Sequence, residues 1–216
     1  MAAFKDMTFK EKIEHIIYYY KWHIIFGIVI LVFSINIFQS ILEADKNIPL
    51  MTFSLQGGEF VDYQKKEDWE KKFSEKIVKE EDIGRTVRVD FYPINTEEPN
   101  EATNISIQKL ATYSAVGELD IICLNEDYYI EQMKIGAFLP IDTIDKLSSV
   151  IEENKDKIVT YVLEDGQKES HIYGIRADDI KIFKELEYDV TGKIIGISSG
   201  TKRIDYTVEA FKLVFE

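Results

Sequence analysis

Residues Gly117 to Asp142 read "GELDIICLNEDYYIEQMKIGAFLPID". "LDIICL" (Leu119 to Leu124) is a short run that is apolar apart from Asp120. A strand of that kind belongs at the centre of a sheet covered on both faces. "NEDYYIEQMKI" follows, with Asn125 as a helix N-cap and two acids in the first turn, where the helix dipole favours negative charge. That predicts a helix to Ile135. Gly136 then suits a left-handed C-cap, Pro140 prevents continuation, and Asp142 can cap another helix.

The same unit occurs twice before it. "LMTFSLQGG" (Leu50 to Gly58) is a β-favouring run closed by two glycines, and in "KKEDWEKKFSEKIVKEE" Trp69, Phe73, Ile77 and Val78 share one helical face. "RTVRVDFYPI" alternates Val87, Val89 and Phe91 with polar neighbours. "ATNISIQKLATYSAVG" follows, with Ile107, Leu110, Ala111 and Ser114 on one side and Gly117 as its stop. Three strand-helix units predict a single three-layer α/β/α lobe with a mainly parallel sheet. Beyond it we expect a helix over 142–155, a hairpin from Ile158 to Ile175 turning at Asp165 and Gly166, and a short helix from Ile180 to Leu186. A strand "KIIGIS" and a final helix "KRIDYTVEAFKLVF" complete the chain.

Ahead of the lobe, Ile24 to Leu42 supplies 19 residues without a formal charge. That is long enough to cross a hydrocarbon core of about 30 Å as one helix. Ser34, Asn36, Gln39 and Ser40 interrupt its apolar character, and a buried core helix is the plainer alternative. Tyr18, Tyr19, Tyr20, Trp22 and His23 form an aromatic belt at one end, beside Lys21. Lys5, Lys10, Lys12 and Lys21 precede the span and Glu43 and Asp45 follow it, so the N-terminus is expected in the cytoplasm and residues 43–216 outside. A cleaved signal peptide is the competitor. Against it, the run is longer than the usual apolar region, and Leu42 and Ala44 do not form a small-residue cleavage site. Phe9, Ile13, Ile16, Ile17 and Tyr20 recur at helical spacing, which fits either an amphipathic segment over 1–23 or the first turns of one long helix.

The 216 residues carry 26 Lys and Arg against 39 Asp and Glu, a formal charge of -13. Lys5, Asp6, Lys10, Glu11, Lys12, Glu14 and Lys21 are the only charged residues ahead of the span, so the acidic excess lies beyond it. Such a domain repels anionic headgroups, and it lacks the clustered basic surface that nucleic-acid binding needs. The one cysteine, Cys123, lies in an apolar run and reads as a buried structural thiol.

Ligands of parallel α/β sheets gather beyond the carboxyl ends of the strands. The candidate ligand-binding positions there are Gln56, Gly57, Gly58 and Glu59 after the first strand, Asn95 and Thr96 after the second, and Asn125, Glu126 and Asp127 after the third. These groups suit a sugar, another small polar solute or a cationic solute, with Tyr128 or Tyr129 as a stacking face; turn glycines and caps are the plainer reading. "QGGEF" is too short for a phosphate loop. No HExxH, GxSxG or paired-carboxylate pattern occurs, and His171 falls in the expected hairpin. Glu67, Asp68, Glu75 and Glu80 fall on helix exteriors. No catalytic residue, metal site or cofactor is expected.

The segment from Gly117 to Asp142 resembles the first lobe of extracellular solute-binding proteins of ABC importers, which have the type 2 periplasmic-binding-protein fold. There a G-x-x-D-apolar strand leads through a helix to a "GAFLPLD"-like segment. "IYGIR" (Ile172 to Arg176) is similar to the family's crossing strand and "IFKELEYD" (Ile182 to Asp189) to the helix after it. "IIGISSGTKRIDYTVEAFKLVF" is similar to a late strand and helix that return to the first lobe. The resemblance implies a single lobe, since residues 43–216 have roughly half the usual length and the second lobe would fall near 189–193. A membrane helix replaces the family's lipid anchor. The function it implies is a membrane-anchored extracytoplasmic binding or interaction module, accessory to a transporter or sensor, whose partner is another membrane protein. A direct solute receptor is the second reading and a hydrolase the third.

Overall fold

The computed structural model describes residues 8–47, 49–58, 61–82, 84–162 and 169–216. Two compact units divide at Ile48 and Pro49. Glu59 and the expected hairpin turn at Asp165 and Gly166 lie outside the described residues.

The first unit is one helix, α1 (Phe9–Asn47). The two readings of the segment before the span therefore resolve to a single long helix, which also continues beyond Leu42. Its stretch Ile17–Ser40 is long and apolar enough to cross a membrane, and none of it is buried against protein. Phe26, Leu31, Phe33 and Phe38 are all exposed. Apolar side chains around the whole circumference suit a lipid environment or a partner helix.

In the second unit a six-stranded sheet runs in the order β2-β1-β3-β6-β5-β4. The strands are β1 (Met51–Gln56), β2 (Val87–Tyr92), β3 (Ile121–Asn125), β4 (Ile158–Tyr161), β5 (His171–Arg176) and β6 (Lys193–Ile197). Only β1 with β2 and β1 with β3 are parallel; β3 with β6, β6 with β5 and β5 with β4 are antiparallel. The sheet is thus mixed, which corrects the mainly parallel expectation. The antiparallel pairing of β4 with β5, and the return of β6 antiparallel beside β3, reverse strand direction in the second half.

Helices α2 (Tyr63–Ile77), α5 (Ser148–Glu153), α6 (Lys181–Glu185) and α7 (Ile204–Val214) contribute to one apolar cluster. Helices α3 (Glu101–Val116) and α4 (Glu126–Lys134) contribute to a second. Strand β3 divides its side chains between them, Ile121 and Cys123 to the first and Ile122 and Leu124 to the second. This alternation within a wholly apolar run is what a doubly covered central strand requires. Gly117 ends α3 at φ 73°, the left-handed cap that its lack of Cβ permits.

The expected helix over 142–155 is instead two 3₁₀ turns, Ile141–Thr143 and Asp145–Leu147, followed by the short α5. Asp142 does not cap a helix. Its carboxylate meets His171 Nδ1 at 3.0 Å and accepts from the Ile172 amide at 3.1 Å, so it binds the start of β5.

Strand β2 lies at a sheet edge, where unpaired amides invite another chain. Here α2 meets them: the Val87 amide donates to Ser74 Oγ at 2.9 Å and the Val89 amide to Glu70 Oε1 at 2.7 Å.

Candidate functional site

The carboxyl ends of β1, β2 and β3 meet the amino end of β6, since Asn125 pairs with Lys193 across the antiparallel register. An open cleft of about 500 Å³ lies there, lined by Asn95, Thr96, Glu97, Asn125, Glu126, Asp127, Thr191 and Gly192 among others. Five of the nine expected positions therefore come together: Asn95, Thr96, Asn125, Glu126 and Asp127.

The remaining described ones do structural work. Gln56 is buried; its Nε2 donates to the Ile94 carbonyl at 2.8 Å, and its Oε1 accepts from the Asn125 amide at 2.8 Å. This side chain ties the loop after β2 to the end of β3, one bond from its amide nitrogen and one to its oxygen both serving the fold. The Gln56 carbonyl accepts from Tyr188 Oη at 2.6 Å. Gly57 and Gly58 have φ of 88° and 84°. A Cβ at Gly58 would also overlap the Phe91 ring. Both glycines serve the backbone path.

Within the cleft, Asn95 folds on itself: its Oδ1 accepts from the Glu97 and Glu98 amides at 3.1 and 3.0 Å, a local turn of the kind asparagine favours. Asn125 departs from expectation. It holds the N-cap position of α4, yet its side chain makes no capping hydrogen bond; the Glu126 amide, at the first helical position, donates instead to the Gly192 carbonyl at 2.9 Å. Asn125 lines the cleft half-buried, with Asp127 exposed beside it.

Glu126 is engaged by Arg176, whose Nη1 and Nη2 donate to its two carboxylate oxygens at 2.7 and 2.5 Å. This paired fork joins the end of β5 to the start of α4. Arg176's hydrogen bonds hold the Glu126 carboxyl below the ordinary glutamate range, against a smaller opposing effect of burial. A carboxyl whose folded-state pKa is depressed adds stability above its unfolded pKa and loses it as pH falls through the folded value. Both side chains are more than a third exposed, so the pair is worth less than about 1 kcal/mol. Glu126→Gln should lower the urea midpoint slightly at neutral pH, with the gap to the parent closing as both are taken below about pH 4. A gap that widens in acid would contradict this assignment.

Sequence patterns missed Arg176 and Lys193. Lys193 is a buried ammonium that donates to the Asp189 carbonyl at 2.5 Å and lies 4.3 Å from the Tyr188 ring centroid. Burial lowers its pKa, while Cys123 and Asp189 oppose that shift. Burial in turn pushes the Cys123 thiol up to about 12. Thiol and ammonium share the interior beneath Gly57, where a Cβ would come 3.6 Å from Lys193 Nζ. The one signal in the sequence was a basic residue at one end of each of two apolar β runs, "IYGIR" and "KIIGIS".

Tyr128 and Tyr129 do not offer stacking faces to the cleft. Both are buried, and Tyr129 donates to the Tyr173 carbonyl at 2.8 Å. Among the described residues no group of three or more His, Cys, Asp or Glu side chains is placed to hold a metal ion.

No protein-family model matches this chain, and no curated protein matches it. Among solved structures, it is similar to an extracellular solute-binding protein family 1 from Alicyclobacillus acidocaldarius subsp. acidocaldarius DSM 446, with 23% identity and a TM-score of 0.32. The similarity covers 58% of this chain and 27% of that one.

Proposed function

We propose that the chain is a single-pass membrane protein whose residues 49–216 form an extracytoplasmic interaction module. It docks another membrane protein, a transporter or sensor, at the cleft beyond the ends of β1, β2 and β3. The observation that carries this reading is the form of the cleft. It is open and polar, and its charged lining consists of Glu97, Asp127 and the already paired Glu126. A small solute is held by a concave site that covers most of its surface with convergent groups. Here the Asn95 carboxamide oxygen, the Gln56 side chain and the Glu126 carboxylate are already engaged within the protein, and the groups that face outward suit a protruding polar or basic segment of a partner. No catalytic step is assigned, and neither His171 nor Cys123 lies among the cleft residues.

The test is a photo-crosslinking residue placed at Thr96 or Asp127 of the full chain in intact cells. A membrane protein should be captured at both positions, with capture falling several-fold when Glu97→Lys and Asp127→Lys are introduced at the position not carrying the probe. If no protein is captured, and the purified full chain in detergent instead gains thermal stability with a sugar or a polyamine, the direct-receptor reading replaces this one. External protease should digest residues 49–216 in intact cells, and their survival would overturn the topology.

A further inference from the structure

Near the middle of the apolar part of α1, Asn36 places a carboxamide that lipid cannot satisfy. The uncharged run Ile24 to Leu42 is bounded by Lys21 and Glu43 and centred on Phe33. Asn36 is three residues further on, about 4.5 Å from the bilayer midplane at the helical rise and well inside a half-thickness of about 15 Å. Its Nδ2 donates to the Val32 carbonyl at 2.8 Å, one turn back. Among the described residues its Oδ1 accepts nothing. An amide at that depth costs free energy unless a partner completes its hydrogen bonds.

The residues around Asn36 specify the partner's geometry. Trp22, Ile25, Val29, Val32, Asn36 and Gln39 follow one another at spacings of three and four, the seven-residue repeat of a two-helix seam. Ile25, Val29 and Val32 are β-branched and about half exposed, with nothing packed on them among the described residues. An asparagine within such a repeat fixes the register in which parallel helices pair. Two copies inserted in the same sense bring their Asn36 side chains to the same depth. A carboxamide is both donor and acceptor, so it complements its own copy.

We propose that α1 pairs in parallel with α1 of a second copy through this stripe, with the two Asn36 amides hydrogen-bonded across the seam. The pairing rests on the membrane-span reading above and would place two outer domains side by side on one membrane.

The full chain, with Cys123→Ser to remove its one cysteine, is reconstituted in phosphatidylcholine vesicles carrying single cysteine reporters. Oxidation should join copies through Ile25→Cys, Val29→Cys and Val32→Cys, and far less through Leu31→Cys and Ser34→Cys on the other side. In a fluorescence-transfer assay at fixed protein-to-lipid ratio, Asn36→Leu should weaken pairing roughly 3- to 10-fold, the range measured for interhelical hydrogen bonds in membranes, while Asn36→Gln retains most of it. Equal crosslinking around the helix, no crosslinking, or an unchanged Asn36→Leu would overturn the proposal. Alkaline washing separates the two failures. A chain that stays in the vesicles but remains single overturns the pairing alone, and a chain that washes out overturns the span as well.

Discussion

Asp120→Ala should destabilise the outer domain by about 3–5 kcal/mol, because it removes one half of a buried ion pair and strands the rest. Asp120 is fully buried at the start of β3. Its carboxylate accepts from the Thr52 amide at 2.8 Å and from Thr201 Oγ1 at 2.5 Å, and it lies 3.2 Å from Arg203 Nη2. Arg203 in turn donates to the Pro49 carbonyl at 2.9 Å and, at 3.5 Å, to that of Gly117. One carboxylate thus ties β1, β3 and the loop before α7 at the end of the sheet opposite the cleft. Burial pushes the Asp120 carboxyl up from its ordinary value, against the pull of Thr201, Arg203 and the Thr52 amide. The interior holds this charge at a cost, so losing one partner is worse than never having the pair. A fall in melting temperature on the order of 10 °C is expected for a domain of this size. Asp120→Leu combined with Arg203→Met should recover part of the loss. A fall of less than 2 °C for Asp120→Ala, or a double variant less stable than the single, would show that the network does not brace the sheet.

Asp120 also illustrates what the sequence made legible. As the one charge in "LDIICL" it interrupts an apolar strand, and the run around it reads correctly as a doubly covered central strand. The three strand-helix units ahead of residue 135 were legible for the same reason: strand and helix periods differ, and glycine or asparagine separates them. Strand direction was not legible. "KIIGIS" is as apolar as "LDIICL", and a wholly buried run contains no sign of whether its neighbour runs with it or against it. The error in sheet type therefore arose in β5 and β6, where pairing depends on a long-range return of the chain. The site divides at the same place. Asn95, Thr96 and 125–127 come from the parallel half and line one cleft. Arg176 and Lys193 reach the cleft's surroundings only through antiparallel β5 and β6, so no local pattern announced them. The structural bonds of Gln56 are not legible locally, since its partners, Ile94 and Asn125, are 38 and 69 residues away.

Gly196→Ala should cost about 3 kcal/mol although it adds a single methyl group to a strand. The reason is Tyr129, the largest fully buried side chain. Its ring stacks on Phe138 with centroids 3.9 Å apart and planes 13° apart, and its hydroxyl donates to the Tyr173 carbonyl at 2.8 Å. To reach that carbonyl the tyrosine crosses two adjacent strands where each has a glycine. A Cβ at Gly174 would come 2.6 Å from Tyr129 Oη and 2.7 Å from Ile194 Cγ2. A Cβ at Gly196 would overlap Tyr129 Oη outright and lie 2.7 Å from the Tyr173 carbonyl. The hydroxyl has nowhere to go, with α4 behind the ring and Phe138 along its face. The methyl group must therefore break the hydrogen bond, unstack the rings or spread β5 from β6, and close packing makes each of these costly. If this account is right, the two positions are coupled. Tyr129→Phe alone should cost about 1 kcal/mol for the lost hydrogen bond, and in that background Gly196→Ala should cost about 1–2 kcal/mol less than in the parent. Gly192→Ala is the control: with φ 63° and nothing within 4 Å of its Cβ, it carries only the backbone penalty of about 1–2 kcal/mol and should be indifferent to Tyr129. Chemical denaturation of the four chains in the Tyr129–Gly196 cycle decides the matter. Additivity within about 0.5 kcal/mol would mean that the sheet, rather than the tyrosine hydroxyl, demands glycine at position 196.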